Sequence, residues 1–232
     1  MASTGISSKA QKKDQNNLPV QLNSEVISAS ATLAGIGRIF YEKNWVLGTS
    51  GNFSTVISCN PFILLITASG AHKGELSSGD FLCVNADTSV IAGSGKPSAE
   101  TSIHQAIIQE RGAGAILHTH SVWSTLLSDL YGSAGGFAIE GYEMLKGLSG
   151  VQTHEYREWL PILANSQDYA TLSAEVVRLL RAQPDIHGIL LQGHGLYTWG
   201  AQIQDARRHV EIMEFLMEVS GTKLTMGPAV QR

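Results

Sequence analysis

Residues 111–121 of this 232-residue chain read RGAGAILHTHS, a short apolar run that ends in two histidines. The segment 115–120 has the length and the composition of a buried β-strand. Side chains alternate between the two faces of a strand, so His118 and His120 point to the same side. The stretch therefore predicts an interior strand that presents two convergent imidazoles.

Two imidazoles on one face suit zinc and related ions, because neutral imidazole nitrogen is a preferred ligand of these metals. A His-x-His pair alone is not specific, and the alternative is two hydrogen-bonded or solvent-facing histidines. His194 is the candidate third ligand, because it lies between two glycines soon after the apolar run 189–191. Glycines there permit close backbone approach, although a Gly-His-Gly segment also fits an ordinary tight turn. The remaining histidines are interpreted as structural or surface residues.

Eight further segments predict the rest of the fold. Apolar runs predict strands at 53–58, 62–67, 81–85 and 186–192. Helical spacing of apolar positions predicts helices at 24–45, 100–111, 168–182 and 202–220, with Ser24 as the N-cap of the first. Because helices and strands alternate without a strict βαβ period, an α/β fold with a mixed or antiparallel sheet flanked by helices fits best.

Length and composition indicate one globular domain. The sequence is 43% hydrophobic and 16% charged, an ordinary globular mixture, and 232 residues lie near the upper end of what one core organises. Residues 1–22 are rich in Ser, Lys, Gln and Asn and have few apolar positions, so we expect a disordered polar tail. The folded domain is expected to span residues 23–232.

Charge and cysteine content narrow the partners and the compartment. The formal net charge is −4 without a basic stripe, so nucleic acid is not an expected partner. No window approaches the roughly 20 apolar residues of a membrane span, and the N-terminus lacks a signal-peptide core. Cys59 and Cys83 are expected to be thiols of a reducing compartment. These features predict a cytoplasmic protein that does not bind membranes.

Two glutamates are candidates for acid–base chemistry. Glu100 lies in the first turn of the predicted helix 100–111, where free backbone N–H groups favour a negative charge. The simpler interpretation is that Glu100 only stabilises the helix dipole. Glu143 lies in a short segment between glycine-rich flanks, and the simpler interpretation there is a solvated charge paired with Lys146.

Two small, hydroxyl-bearing segments beside strands have the composition that wraps an anion. They are Gly48-Thr49-Ser50-Gly51-Asn52 and Thr67-Ala68-Ser69-Gly70. Ordinary turns have the same composition, so each segment alone is weak evidence. Neither segment matches a P-loop or a GxGxxG fingerprint, which argues against nucleotide kinases and Rossmann dehydrogenases.

Taken in order, these motifs resemble the class II aldolase family over roughly residues 25–220. The motifs are the two small segments, Lys96-Pro97-Ser98-Ala99-Glu100, the His-Thr-His triplet and Gly193-His194-Gly195. The resemblance implies a single α/β/α domain with a central, largely antiparallel sheet, a sugar-phosphate substrate, and a homotetramer with active sites near subunit interfaces.

The same resemblance implies specific ligands. One zinc ion per subunit would be held by His118, His120 and His194. The substrate phosphate would be bound by Gly51, Asn52, Thr67, Ser69, Gly70 and Ser98. Ala99 departs from the family pattern, because sugar-phosphate aldolases often have a second phosphate-binding serine there.

Within the family, the chain resembles the members that dehydrate 5-methylthioribulose 1-phosphate. The resemblance rests on residues 111–121, on 142–147 (YEMLKG) and on 160–165 (LPILAN). The family aldolases use the glutamate that matches Glu100 as acid–base, whereas the dehydratase uses the one that matches Glu143. We favour Glu143, because its local sequence follows the dehydratase. A sugar-phosphate aldolase, a pentulose-phosphate 4-epimerase and a non-catalytic scaffold similar to the adducin head domain are the alternatives.

Overall fold

A computed structural model describes residues 20–226, with side chains from residue 23 onward. The helices in this range are α1 (Val20–Glu42), α2 (Thr101–Arg111), α3 (Val122–Tyr131), α4 (Tyr169–Ala182) and α5 (Ile203–Thr225). The strands are β1 (Asn52–Cys59), β2 (Phe62–Thr67), β3 (Phe81–Val84), β4 (Val90–Ala92), β5 (Ala115–Thr119), β6 (Gly136–Glu140), β7 (Arg157–Leu163), β8 (Gly188–Leu191) and β9 (Gly195–Gly200). Short 3-10 helices lie at Lys73–Glu75, Ser78–Asp80, Gly132–Ala134 and Glu143–Gly147.

The strands form one sheet in the order β4-β3-β2-β1-β5-β9-β8-β7-β6. Neighbouring strands are antiparallel except β7 and β8, which run parallel. The strand that carries His118 is β5, and it lies in the middle of the sheet between β1 and β9. The expected, largely antiparallel sheet is therefore confirmed.

Helices cover both faces of this sheet, and β2 illustrates the arrangement. Leu65 is buried in the core cluster that includes Phe40 of α1 and Val210 of α5. Leu64 next to it is buried in the opposite cluster, with residues of α2 and α4 such as Ile107. Full burial of such a side chain contributes about 1.5–3 kcal/mol. The α/β/α architecture predicted from the sequence is confirmed.

The predicted helices coincide with α2, α4 and α5, although α5 continues to Thr225. The first helix begins earlier than predicted, at Val20, so Ser24 lies inside α1 and its assignment as the N-cap was wrong. Serine is tolerated inside a helix as well as at its start, so capping chemistry did not mark the boundary. Residues 20–22 of the expected tail are thus helical, while residues 1–19 and 227–232 lie outside the described residues.

The prediction from sequence missed α3 and the strands β4, β6, β7 and β9. In α3 the exposed side chains of Val122, Leu126 and Leu130 recur every fourth residue beside the fully buried Leu127, so helical spacing of apolar residues is present in this segment. Ser121 also caps this helix, because its side chain accepts a hydrogen bond from the amide of Ser124 at 3.0 Å. The cap and the apolar spacing together mark α3 in the sequence.

Both cysteines are free thiols, as expected from their number and spacing. Cys83 is buried in β3, and Cys59 is exposed at the end of β1. Among the helices of residues 20–226, none has the length and the apolar character needed to cross a bilayer.

Candidate metal centre and active-site cavity

Three histidines meet at the end of β5. Nε2 of His118 lies 2.7 Å from Nε2 of His120 and 3.3 Å from Nε2 of His194. Thr119, between the first two, points to the opposite face of the sheet, where its hydroxyl donates to Glu214 of α5 at 2.8 Å. The alternation of side chains predicted for this strand is confirmed, and the distant third histidine joins the pair.

The turn between β8 and β9 brings His194 to this point because residue 195 is a glycine. A Cβ at Gly195 would lie 2.1 Å from the carbonyl oxygen of Thr119 and 3.1 Å from the His120 ring. On the other side of His194, Gly193 has a φ of 62°, in the left-handed region that favours glycine. Gly195 therefore serves the close backbone approach that the sequence indicated, whereas Gly193 serves the left-handed conformation of the turn.

The three imidazoles are poised to bind a metal ion. Nδ1 of His118 donates to the carbonyl of Leu196 at 2.9 Å, and Nδ1 of His194 donates to Oδ1 of Asn165 at 3.3 Å. Both Nε2 atoms are then free to act as ligands. Burial lowers the pKa of all three histidines, that of His120 to about 3, so the rings are neutral near pH 7.

The donor set itself indicates which ions fit. One nitrogen from each ring lies within 4.8 Å of the other two, so the cluster can hold a metal ion. Three histidine nitrogens with an open fourth position are the arrangement of catalytic zinc sites.

Glu100 faces the histidine cluster from the start of α2. Its Oε1 lies 3.3 Å from Nε2 of His194, and its Oε2 lies 3.5 Å from Nε2 of His118. The side chain is buried, with only 6% of the residue exposed. Tyr197 lies beside the same group of residues, because its ring stacks on His118 with a centroid distance of 3.8 Å. Glu100 is therefore placed to exchange protons with a substrate bound at the cluster.

A buried chain of hydrogen bonds holds the Glu100 carboxylate. The Asn52 side-chain amide donates to Oε2 of Glu100, and its carbonyl oxygen accepts from Nε2 of His104. On its other side, Nδ1 of His104 lies 2.6 Å from the hydroxyl of Ser54. Burial lowers the pKa of His104 to about 3, so the ring is neutral.

A neutral His104 allows one self-consistent arrangement of protons along this chain. The hydroxyl of Ser54 donates to Nδ1, the Nε2–H donates to the carbonyl of Asn52, and the amide of Asn52 donates to Glu100. From the sequence alone, His104 is interpreted as a structural residue. Its spacing of four residues from Glu100, on one face of the predicted helix, was the available signal.

A cavity of about 180 Å³ opens beside Glu100 and His120. Five of the six residues expected to bind phosphate line it, namely Gly51, Asn52, Ser69, Gly70 and Ser98. Thr67 is not among the lining residues; it is fully buried, and its hydroxyl accepts a hydrogen bond from the amide of Phe53 at 3.2 Å. Lys73 and Tyr169 also line the cavity, and none of the motifs noted in the sequence includes either of them.

Residues 31–220 match the Class II Aldolase and Adducin N-terminal domain family. The chain belongs to this family. Among its class II aldolase relatives, a methylthioribulose-1-phosphate dehydratase of Pseudomonas fluorescens (strain Pf0-1) is 44% identical over 85% of this chain and 91% of that protein. A protein of the same name from Sorangium cellulosum (strain So ce56) is 40% identical over 82% of this chain and 90% of its own length.

Solved class II aldolase structures share the fold at low sequence identity. An L-fuculose 1-phosphate aldolase superposes with a TM-score of 0.71 and 19% identity, covering 94% of this chain and 93% of that one. The L-fuculose-1-phosphate aldolase of Thermus thermophilus gives a TM-score of 0.69 and 21% identity, with coverage of 89% and 99%.

Of the two candidate glutamates, Glu143 is the one that does not contact the histidine cluster. It lies in the 3-10 helix Glu143–Gly147 with 71% of its side chain exposed. Its carboxylate accepts a hydrogen bond from Lys146 at 2.6 Å and lies 3.7 Å from Nδ1 of His154. The hydrogen bond and the charge of Lys146 lower the pKa of Glu143. Among the described residues, Glu100 is the carboxylate beside the histidines.

Proposed function

We propose that this protein is a zinc-dependent dehydratase of methionine salvage. It would convert 5-methylthioribulose 1-phosphate to 5-methylthio-2,3-dioxopentyl phosphate and act in the cytoplasm. The observation that carries the proposal is the cavity in which the loops bearing Gly51 and Ser69 face the carboxylate of Glu100 and the ring of His120. The relatives named methylthioribulose-1-phosphate dehydratase support this choice of substrate.

The two parts of the cavity match two neighbouring groups of the substrate, the phosphate on C1 and the ketone at C2. The ligands His118, His120 and His194 would hold one zinc ion per subunit, and zinc there supplies Lewis-acid polarisation of the sugar's ketone oxygen. The small residues Gly51, Ser69, Gly70 and Ser98 would receive the phosphate through backbone N–H groups and hydroxyls. Asn52 would contribute its backbone, because its side chain is engaged with Glu100. Thr67 would support the phosphate site from behind, because it is fully buried and accepts a hydrogen bond from the amide of Phe53.

Dehydration requires a group that removes the C3 proton and a group that protonates the departing C4 hydroxyl. The enol that remains tautomerises to the diketone. We assign the principal acid–base role to Glu143 and an orienting or secondary proton-transfer role to Glu100, which is fixed by Asn52. Because Glu143 is exposed and away from its own cluster, it would act on the cavity of a neighbouring subunit. A homotetramer with active sites near its interfaces would satisfy this requirement.

The reaction is tested by incubating zinc-loaded protein with 5-methylthioribulose 1-phosphate and following diketone absorbance. We expect product formation that is lost, together with bound zinc, in His118→Ala. Carbon–carbon cleavage products would instead indicate an aldolase, and an epimeric pentulose phosphate would indicate a 4-epimerase. Wild-type protein that retains neither zinc nor turnover would indicate a scaffold.

A further inference from the structure

Lys73 is a buried lysine at the junction of the two small, hydroxyl-bearing loops. It begins the 3-10 helix Lys73–Glu75, just after the second loop, and only 1% of the residue is exposed. Its Nζ donates to the carbonyl oxygen of Ala71 at 2.6 Å and to that of Thr49 at 3.1 Å. One ammonium group thus joins the first loop to the end of the second, and it lines the cavity.

The backbone around Lys73 is held in place by two close contacts with α1. A Cβ at Gly37 of α1 would lie 2.4 Å from the carbonyl oxygen of Lys73, so only glycine allows this approach. A Cβ at Gly74 would lie 2.7 Å from the ring of Tyr41, which is also on α1. These contacts fix the backbone from which the Lys73 side chain extends, so its ammonium group is held at the cavity.

The charge of Lys73 lacks a direct partner. Among the described residues, no carboxylate lies within salt-bridge distance of Nζ, and its two acceptors are neutral carbonyl groups. Burial lowers the pKa of Lys73 to about 8, while the charges of Asp80 and Glu100 act in the opposite direction. A buried cation without a counter-ion costs free energy, and an anion bound in the cavity would offset that cost.

An ammonium group has three N–H donors, and two of them are used by Ala71 and Thr49. The third remains for an oxygen atom in the cavity. The other groups that line the phosphate end of the cavity, including Ser69, Gly70 and Ser98, are neutral. Among the side chains that line the cavity, only that of Lys73 would offer a positive charge to a phosphate dianion in contact with these neutral groups.

We propose that Lys73 binds the phosphate group of the substrate and, through Thr49 and Ala71, holds the two loops in the conformation that receives it. This inference rests on the proposed function in assuming a phosphorylated substrate. Its test uses inorganic phosphate, so that binding is measured without turnover.

The experiment is calorimetric titration of the zinc-loaded, full-length protein with inorganic phosphate. Relative to wild type, Lys73→Met removes the charge and keeps the stem, and we expect it to weaken phosphate binding about tenfold or more at unchanged zinc content. Lys223→Met is the matched control, since it removes the same charge from an exposed position on α5 and should bind phosphate like wild type. Lys73→Met that melts like wild type and binds phosphate within about twofold of it would overturn the proposal.

Lys73→Gln provides a second variant if the apolar end of methionine prevents folding. It keeps a hydrogen-bond donor but lacks the charge, and we expect the same loss of phosphate affinity.

Wild-type protein that binds no phosphate also contradicts the role of Lys73. If phosphate binding depends on Lys73 but no dehydration occurs, the inference stands and the proposed reaction fails. In an active enzyme, the variants should raise KM for the sugar phosphate by a larger factor than they lower kcat.

Discussion

The side-chain amide of Asn52 donates a hydrogen bond to the carboxylate of Glu100, and that carboxylate faces two of the three clustered histidines. Asn52 is in turn held by His104, which is neutral and fully buried. The orientation of Glu100 is therefore set from β1 and α2 before any substrate binds. Such support of a reactive group commonly matters to activity as much as the group's own identity.

Asn52→Asp should lower kcat/KM about tenfold or more, because it replaces the donor to Glu100 with a second buried carboxylate. Steady-state kinetics and zinc analysis would measure the effect. Asn85→Asp is the matched control, since the Asn85 side chain only accepts hydrogen bonds from the amides of Asp87 and Ser89, which aspartate also accepts. Equal activity of the two variants would contradict the orienting role of Asn52.

Gly195→Ala should reduce zinc affinity by about 10–100-fold, because the new Cβ would collide with the Thr119 carbonyl and displace the turn that carries His194. Competition with a zinc chelator would give the affinity. In Gly79→Ala the nearest atom to the new Cβ is the hydroxyl of Ser77 at 3.7 Å, so zinc affinity should not change. Normal zinc binding by Gly195→Ala would show that the turn tolerates displacement.

Glu143→Gln should abolish turnover while zinc stays bound, because this glutamate is the proposed acid–base and is not near its own cluster. Appreciable residual turnover would move the acid–base role to Glu100.

An experiment with mixed subunits tests more specifically whether two subunits share one site. Inactive Glu143→Gln and His118→Ala proteins, unfolded and refolded together, should recover up to about a quarter of wild-type activity if each site combines residues of two subunits. No recovery in mixed oligomers would exclude a shared site.

The stability of the fold should depend on pH through His187 and Glu158. Nδ1 of His187 donates to Glu158 at 2.8 Å, and Nε2 donates to the carbonyl of Ser149 at 2.8 Å. Burial opposes the charge on His187, but the hydrogen bond and the charge of Glu158 outweigh it and raise its pKa. The stabilisation is therefore complete below about pH 6.5 and is lost as pH rises through the raised pKa.

Urea unfolding of wild type and His187→Gln at several pH values would measure this dependence. The difference in unfolding free energy between them should shrink from pH 6 toward higher pH. The same substitution made in a Glu158→Gln background should show no such trend. A difference that stays constant with pH in the wild-type background would mean that His187 contributes by packing alone.

The residues that could be predicted from the sequence are those whose signal is local. Alternation in one strand was enough to pair His118 with His120, and two flanking glycines marked His194. The helices α2, α4 and α5 followed from periodic apolar positions in the same way.

The parts that could not be predicted depend on contacts between distant segments. In the sequence, Lys73 is an ordinary lysine of a polar turn, but in the fold α1 packs against it. Asn52 likewise resembles any turn asparagine, but in the fold α2 places His104 and Glu100 on its two sides. The position of Glu143 relative to a neighbouring subunit is likewise a property of assembly. Hydrophobic patterns carry no information about such pairs, because the pairs are polar and far apart in the chain.

The central place of β5 has a consequence for how the folded chain is held together. Strands β1 to β5 form one half of the sheet and β6 to β9 the other, and among the described strands these halves are hydrogen-bonded only where β5 meets β9. His118 and His120 belong to the first half, and His194 belongs to the second. A zinc ion on all three would therefore be a cross-link between the N-terminal and C-terminal portions of the polypeptide, binding the finished fold far better than the unfolded chain.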